Sequence, residues 1–294
     1  MAEHGFPCPR TVAFPADTNA RELIGLIEEL DRPFLIKPSD SSGSKGITVL
    51  EDLDPSRVGN ALEAAKHFSR NRMLLAEEFI NYEYPRVVGG DVFVKNGQIE
   101  FWGLMDCLRD EGVASLVPVG EMYPSGLSSQ QTQAVRQQLQ EIVKSLGLAF
   151  GEMNVEIIIG NGGKPHVLEL GGRAGGNMIP IQLSDVSGID LVEANVRFAM
   201  GDSSMDVAFE GNMSALATYM LHSDRDGRFV GVEYSPEIEA HVYREILHVK
   251  RGDPIERLSD ATKNFGQVFL RFDDADQMRE KLEHIKGQIH VQID

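Results

Sequence analysis

Apolar positions along the chain recur with two periods, and the switches between them predict the elements. Leu23, Ile24, Leu26, Ile27 and Leu30 follow helical spacing after Asn19, and Asp31-Arg32-Pro33 stops that helix. A short buried strand at 34–37, a Gly/Ser loop and a second strand at 46–50 come next. Asp54-Pro55 has the composition of an N-cap followed by a first-turn proline and opens a helix to about Phe68. Residues 73–79 read as a strand. From Val87 a larger sheet begins, with strands at 87–95 and 98–105 flanking Asn96-Gly97, the strongest short hairpin signal. Ser128 or Ser129 caps a helix to about Leu146 that carries Val135, Leu139, Ile142, Val143 and Leu146 on one face. Residues 189–200 are helical, 215–221 form a strand, and the tail mixes short strands with a final helix near 274–285. Pro7 and Pro9 make the first fifteen residues an irregular, extended lead-in. The whole pattern predicts an α+β fold with mostly antiparallel sheets.

The stretch from Met153 to Arg173 carries the chemistry. Two β-rich runs, 155–159 and 166–170, flank Asn161-Gly162-Gly163-Lys164, which has turn composition. With those four residues as the turn, Gly160 pairs with Pro165, Ile157 faces Leu168, Glu156 faces Glu169 and Asn154 faces Gly171. Val155, Ile157, Ile159, Leu168 and Leu170 then share the core face. A slip of one residue would bury both glutamates, so the register is well specified. Directly opposed side chains sit about 4.5–5.5 Å apart at Cβ, and like charges there repel. Such a pair needs a cation or a shared proton. Two carboxylates plus phosphate oxygens is a usual way to hold Mg²⁺. The alternative is a solvated edge hairpin with incidental acids.

Composition narrows the classes. A net charge of −17 argues against a nucleic-acid or anionic-membrane partner, which would want basic stripes. No run approaches the length of a membrane span, and the N-terminus lacks a basic-then-apolar leader pattern. Cys8 and Cys107 lie far apart in no metal or redox spacing, which fits a reducing, cytoplasmic setting without a disulfide.

Three further stretches add to the hairpin. Lys37 closes the 34–37 strand ahead of Pro38-Ser39-Asp40-Ser41-Ser42-Gly43-Ser44-Lys45-Gly46. Small residues there let backbone N–H groups approach phosphate oxygens, the serines add donors and Lys37 adds a point charge. The spacing is not that of a Walker A loop, and strand follows instead of helix, so a glycine-rich β-hairpin lid fits better. A plain surface turn is the competing reading. Glu77-Glu78-Phe79-Ile80 ends an apolar strand, which reads either as a strand leaving the core or as an end presenting backbone donors and acceptors to adenine. Arg173, beside Gly171, Gly172, Gly175 and Gly176, is placed either to neutralise a transferring phosphoryl group or to pair with Glu169. Asn177 is a candidate ligand or substrate contact. His166 and His222 show no acid partner at readable spacing and read as structural.

Taken in order, a lysine before a Ser/Gly hairpin, an acid-ended strand and Glu-x₁₂-Glu-x₃-Arg resemble the ATP-grasp superfamily over roughly residues 6–200. The branches it is similar to are carboxylate–amine ligases, the carbamoyl phosphate synthetase large chain and L-amino-acid ligases. The resemblance implies two α+β lobes with mostly antiparallel sheets clasping ATP. It implies Lys37 on phosphate, Ser41, Ser42, Gly43 and Ser44 in the lid, and Glu77, Glu78, Phe79 and Ile80 as the adenine hinge. It also implies Glu156 and Glu169 on Mg²⁺, with Mn²⁺ as an alternative ion, and Arg173 as the catalytic group. The implied reaction is attack of a carboxylate on the γ-phosphate, followed by capture of the acyl phosphate by an amine or ammonia.

Two departures from the family pattern shape the expectation. Many members place asparagine two residues after the second glutamate, where this chain has Gly171; Asn154 and Asn177 are the candidate substitutes. The family also has an N-terminal domain ahead of the Gly5-Phe6-Pro7-Cys8-Pro9-Arg10-Thr11 entry segment. Residues 1–14 then read as a lead-in from that missing domain, 15–82 as the small lobe, 83–205 as the large lobe and 206–294 as a C-terminal α+β extension packed on the large lobe. A separate chain supplying the missing domain, or a homodimer, is the expected macromolecular partner. The competing reading is a non-catalytic ATP-binding subunit or truncated remnant.

Overall fold

A computed structural model describes residues 4–294, which form two compact units. The smaller takes Cys8–Asn81 and Ser259–Thr262. The larger takes Tyr82–Leu258, Lys263–Asp294 and the described part of Met1–Pro7.

The smaller unit contains β1 (Thr11–Pro15), α1 (Ala20–Leu26), β2 (Phe34–Pro38), β3 (Thr48–Leu50), α2 (Pro55–Phe68) and β4 (Met73–Glu78). Its sheet is antiparallel in the order β1-β4-β2-β3. Phe14, Phe34, Ile36 and Leu74 from the strands meet Leu23, Ile27, Val58 and Leu62 in one core. Asn19 and Glu22 close a capping box, and Asp54 accepts the amides of Ser56 and Arg57 with Pro55 in the first turn, so both helix starts follow from sequence. The first helix ends at Leu26, short of the expected Leu30. Glu28 and Glu29 would otherwise occupy the negative end of the helix dipole. Ile27 and Leu30 remain buried in the turn that follows. The expected irregular lead-in is also shorter than read, because Thr11–Pro15 pairs along β4 and its prolines at 7 and 9 lie outside the strand.

The larger unit contains β5 (Val88–Lys95), β6 (Gln98–Asp110), β7 (Ala114–Tyr123), α3 (Ser129–Ser145), β8 (Phe150–Gly160), β9 (Lys164–Gly171), α4 (Ile179–Ser187), α5 (Leu191–Ala199), β10 (Ala215–Leu221), β11 (Gly227–Tyr234), α6 (Pro236–Glu239), β12 (Val242–Leu247), β13 (Pro254–Ile255), β14 (Gly266–Phe272), α7 (Ala275–Glu283) and β15 (Ile289–Ile293). Eight strands make one antiparallel sheet, β12-β14-β10-β7-β6-β5-β8-β9, and β13-β11-β15 make a small one. Asn96 and Gly97 turn β5 into β6 with positive φ of 53° and 75°, as the Asn-Gly pair requires. One face of the large sheet packs Val88, Val92, Val155 and Ile157 against Val135, Leu139, Ile142 and Val143 of α3. The other face meets α4 and α5 at one end, where Phe93, Phe101, Met105 and Tyr123 pack on Leu183, Leu191 and Phe198. The remainder of that second face carries the acids.

Candidate functional site

The Met153–Arg173 hairpin brings its two glutamates together by a different count from the one the sequence suggests. The turn is Asn161–Gly163, so Gly160 pairs with Lys164 and not with Pro165. A one-residue bulge at Leu168 then separates the Ile157–Val167 pair from the Glu156–Glu169 pair. A bulge sets two residues of one strand against one of the other. The shorter turn and the extra residue cancel, so Glu156 faces Glu169 and Asn154 faces Gly171. The core partner changes accordingly: Val167, not Leu168, joins Val155, Ile157 and Ile159, with Leu170 packed against them.

Glu156 is half-buried and Glu169 exposed. The Arg173 guanidinium reaches Glu169 at 3.8 Å, but the two side chains are 52% and 56% exposed. Such a solvated pair contributes about 0–1 kcal/mol. The arrangement fits a divalent cation completed by phosphate oxygens. Among the described residues no three His, Cys, Asp or Glu side chains gather for a metal, so this hairpin would supply two ligands and no more.

Asn154, opposite Gly171, is fixed through its side-chain nitrogen. Its amide donates to Asp91 Oδ1 at 2.9 Å and to the Gly90 carbonyl at 3.0 Å. Asp91, wholly buried, accepts the Gly175 amide on both carboxylate oxygens at 3.0 Å. A Cβ on Gly175 would lie 2.8 Å from Asp91 Oδ1 and 2.9 Å from Asn154 Nδ2, so glycine is needed for this close approach. Asn154 N in turn donates to the Arg173 carbonyl, and Arg173 N to the Gly171 carbonyl. The Arg173 loop is thereby fastened to β5 and β8. Asn177 follows with a φ of 50° and leads into α4.

Glu152 completes this cluster. Burial and the neighbouring Asp91 charge push its carboxyl up to about 9. Glu152 therefore keeps its proton at neutral pH.

In the smaller unit, Lys37 Nζ lies 2.7 Å from Glu77 Oε1, and Thr11 Oγ1 donates to Glu77 Oε2 at 3.1 Å. Glu78 is held by Arg10 through its guanidinium at 3.3 Å and its backbone amide. The Glu78 and Phe79 amides donate to the Arg10 and Pro33 carbonyls. The loop containing Ser41, Ser42, Gly43 and Ser44 connects β2 to β3 as a hairpin, with Ile36 opposite Thr48. Gly43, Ser44 and Gly46 have φ of 68°, 62° and 74°, the left-handed turns its small residues permit. Ala261 N donates to the Gly43 carbonyl at 3.2 Å, a tether from far along the chain that local sequence does not announce.

Lys37→Met should leave Glu77, 8% exposed, with one neutral donor. The expected cost is about 1–3 kcal/mol in urea unfolding, largely restored by adding Glu77→Gln. Equal costs for Lys37→Met with and without Glu77→Gln would show the two do not interact.

Several residues on the acid face lay outside the sequence reading. Gly89 pairs with both Glu156 and Met105, and Cys107 pairs with Glu121, so all five share one face. Glu121 has a readable signal, since Val117, Val119, Glu121 and Tyr123 alternate and place an acid on an apolar side. His222, read as lacking an acid partner, has one: Nε2 lies 3.1 Å from Asp110 Oδ2, which also meets Lys286 at 2.9 Å. Cys8 and Cys107 are both free thiols. Among the described residues no helix is long and apolar enough to cross a membrane.

Comparison with known proteins gives these features a class: the fold is the ATP-grasp fold. The chain belongs to the family described as carbamoyl-phosphate synthase L chain, ATP binding domain, whose model matches residues 1–206. An uncharacterised protein, y4rH, of Sinorhizobium fredii is 25% identical over 275 residues, covering 91% of this chain and 54% of its own. The chain thus spans about half the length of that curated relative. The crystal structure of an L-amino acid ligase from Bacillus licheniformis superposes with a TM-score of 0.77 at 15% identity, over 100% of this chain and 70% of the ligase. The biotin carboxylase domain of a Hydrogenobacter thermophilus 2-oxoglutarate carboxylase, solved with MgADP and bicarbonate, gives 0.74 at 16% identity, over 99% of this chain and 64% of its own.

Proposed function

We propose that the chain is an ATP-dependent ligase module that activates a carboxylate as an acyl phosphate for attack by an amine or ammonia. The single observation that carries this reading is the Glu156–Glu169 pair, two acids set directly opposite each other on one sheet face of the hairpin. Glu156 and Glu169 would hold Mg²⁺, which when bound supplies charge neutralisation to the nucleotide phosphates. Lys37 keeps donors to spare beyond Glu77, since an ammonium has three, and would take a phosphate oxygen while Glu77 fixes its direction. Ser41, Ser42, Gly43 and Ser44 would lie over the phosphates, and Glu77, Glu78, Phe79 and Ile80 would meet adenine. Arg173, on a loop fastened through Gly175 and Asp91, would steady the transferring phosphoryl group. MgADP in the Hydrogenobacter relative supports the nucleotide and ion together. Positioning and electrostatics would supply most of the rate.

One observation favours a second reading, a subunit that binds nucleotide without turning it over. Gly171, opposite Asn154, supplies no side-chain ligand. Release of ADP over a panel of carboxylates crossed with amines separates the two. Turnover with any pair supports the ligase; Mg-ATP binding with no turnover over the panel supports the binding subunit. A partner chain, or a second copy of this chain, belongs to the same proposal, and the panel run with candidate partner chains tests it.

A further inference from the structure

The glycine-rich loop between β2 and β3 is pinned at both shoulders by its own unit. Asp40 accepts the backbone amides of Arg70 at 3.1 Å and Asn71 at 2.8 Å. Gly46 lies so close to α2 that a Cβ there would stand 3.0 Å from the Ala64 carbonyl oxygen. The tip between them is met from far along the chain. After Leu258 the chain leaves the larger unit, lends Ser259–Thr262 to the smaller one and returns at Lys263. Both flanks of this excursion are fixed. Leu258 and Phe265 are buried, and their amides donate to the Ser223 and Leu221 carbonyls at 2.8 and 3.0 Å. At its end Ala261 N donates to the Gly43 carbonyl at 3.2 Å, and a Cβ on Gly43 would stand 3.1 Å from Ala261 Cβ. Asp260, 6% exposed, accepts from Thr262 N at 2.9 Å and Thr262 Oγ1 at 2.5 Å, which closes the turn on itself. Its charge also lies within electrostatic reach of Lys45 in the loop. The excursion is thus rigid before it meets the loop.

We propose that Ser259–Thr262 is a latch on the glycine-rich loop, with the Ala261 amide fixing the Gly43 tip and the Asp260 charge attracting Lys45, so that the loop is ordered before a ligand arrives. A segment ordered in advance spares its ligand the entropy of ordering it. Ala261 and Asp260 are positioning residues, since they act through the loop. The proposal rests on the ligase reading in one respect: the ligand is the nucleotide whose phosphates Ser41, Ser42, Gly43 and Ser44 cover.

Ala261→Pro tests it, because it deletes the donor at the first position of a helical turn, where proline is well accommodated. Ala261→Ser keeps the donor and is the control. Hydrogen exchange of the full chain, read by mass spectrometry over residues 39–50, needs no nucleotide. Ala261→Pro should speed exchange there about three- to tenfold, the worth of one backbone hydrogen bond. Residues 73–78 of β4 should be unaffected, and Ala261→Ser should match wild type. Calorimetric titration of Mg-ATP into Ala261→Pro should show affinity lowered by a similar factor, and saturating Mg-ATP should return the loop to wild-type exchange. Should Ala261→Pro melt far below wild type, Asp260→Asn carries the same test, since it keeps an acceptor for Thr262 and removes the charge acting on Lys45. Unchanged exchange over 39–50, or faster exchange shared equally by β4, overturns the latch. Faster loop exchange with unchanged Mg-ATP affinity overturns its part in binding. A wild-type protein that binds no Mg-ATP removes the ligase reading instead, and the latch then stands or falls on the exchange result.

Discussion

Replacing Glu156 and Glu169 together by glutamine should abolish the stabilisation that Mg-ATP confers, while the metal-free protein melts slightly higher than wild type. The two halves come from one electrostatic source. Opposed like charges on a sheet cost roughly 0.2–1 kcal/mol, of which the half-exposed Arg173 at 3.8 Å from Glu169 returns a part. Glutamine keeps the size and the strand fit, so the apo protein gains. A cation then finds two neutral amides in place of two anions, and affinity should fall at least about a hundredfold, roughly 2.7 kcal/mol. Single substitutions should be graded, with Glu156→Gln the more severe because Glu156 is half-buried and less screened than Glu169. Differential scanning calorimetry with and without Mg-ATP reads both halves. A double variant that is destabilised in the apo state and still shifted by Mg-ATP would contradict the account.

The second large effect concerns the buried acids beneath the Arg173 loop. Glu152 has its folded pKa raised from 4.5 to about 9 by burial and by Asp91. The native state therefore binds one more proton than the unfolded chain between those values. The stability it contributes is complete below about pH 4.5 and is lost as pH rises toward 9, with a slope of at most about 1.4 kcal/mol per unit. Once Glu152 ionises, two carboxylates share a buried site, and Asp91 is the group that holds the Gly175 amide. The Arg173 loop should loosen in the same range. Glu152→Gln keeps the size of the side chain and removes the titration. Its melting temperature should exceed that of wild type by a gap that widens from about pH 5 to pH 9, reaching about 5 °C or more. A gap that does not change with pH would show that Glu152 is not the titrating group.

The sequence was informative where one face of an element decides its register. The Asn96-Gly97 turn, the Asp54-Pro55 start and the Ser128 cap are local rules, and the structure obeys them. The Glu156–Glu169 pairing was legible because burying either acid is so unfavourable that turn and bulge adjust around it. Leu168 shows the limit: a bulge leaves no mark in an alternating pattern, so its neighbour Val167 took the core position. β7 and α4 escaped notice for related reasons. Pro118, Gly120 and Glu121 interrupt the apolar run of β7, and Pro180 with Asn177 gives the start of α4 the look of a loop. The ties of Lys37 to Glu77, Asp91 to Gly175, His222 to Asp110 and Ala261 to Gly43 join distant residues, and no periodicity encodes them. The strand order β12-β14-β10-β7-β6-β5-β8-β9 is of the same kind, set by packing across the sheet and not by neighbours in the chain.

The most direct test is calorimetric titration of ATP into the wild-type protein and the Glu156→Gln/Glu169→Gln variant, each in Mg²⁺ and in EDTA. The account predicts tight binding for wild type in Mg²⁺ alone, and weak, metal-independent binding for the variant. Metal-dependent affinity that survives undiminished in the variant would contradict it.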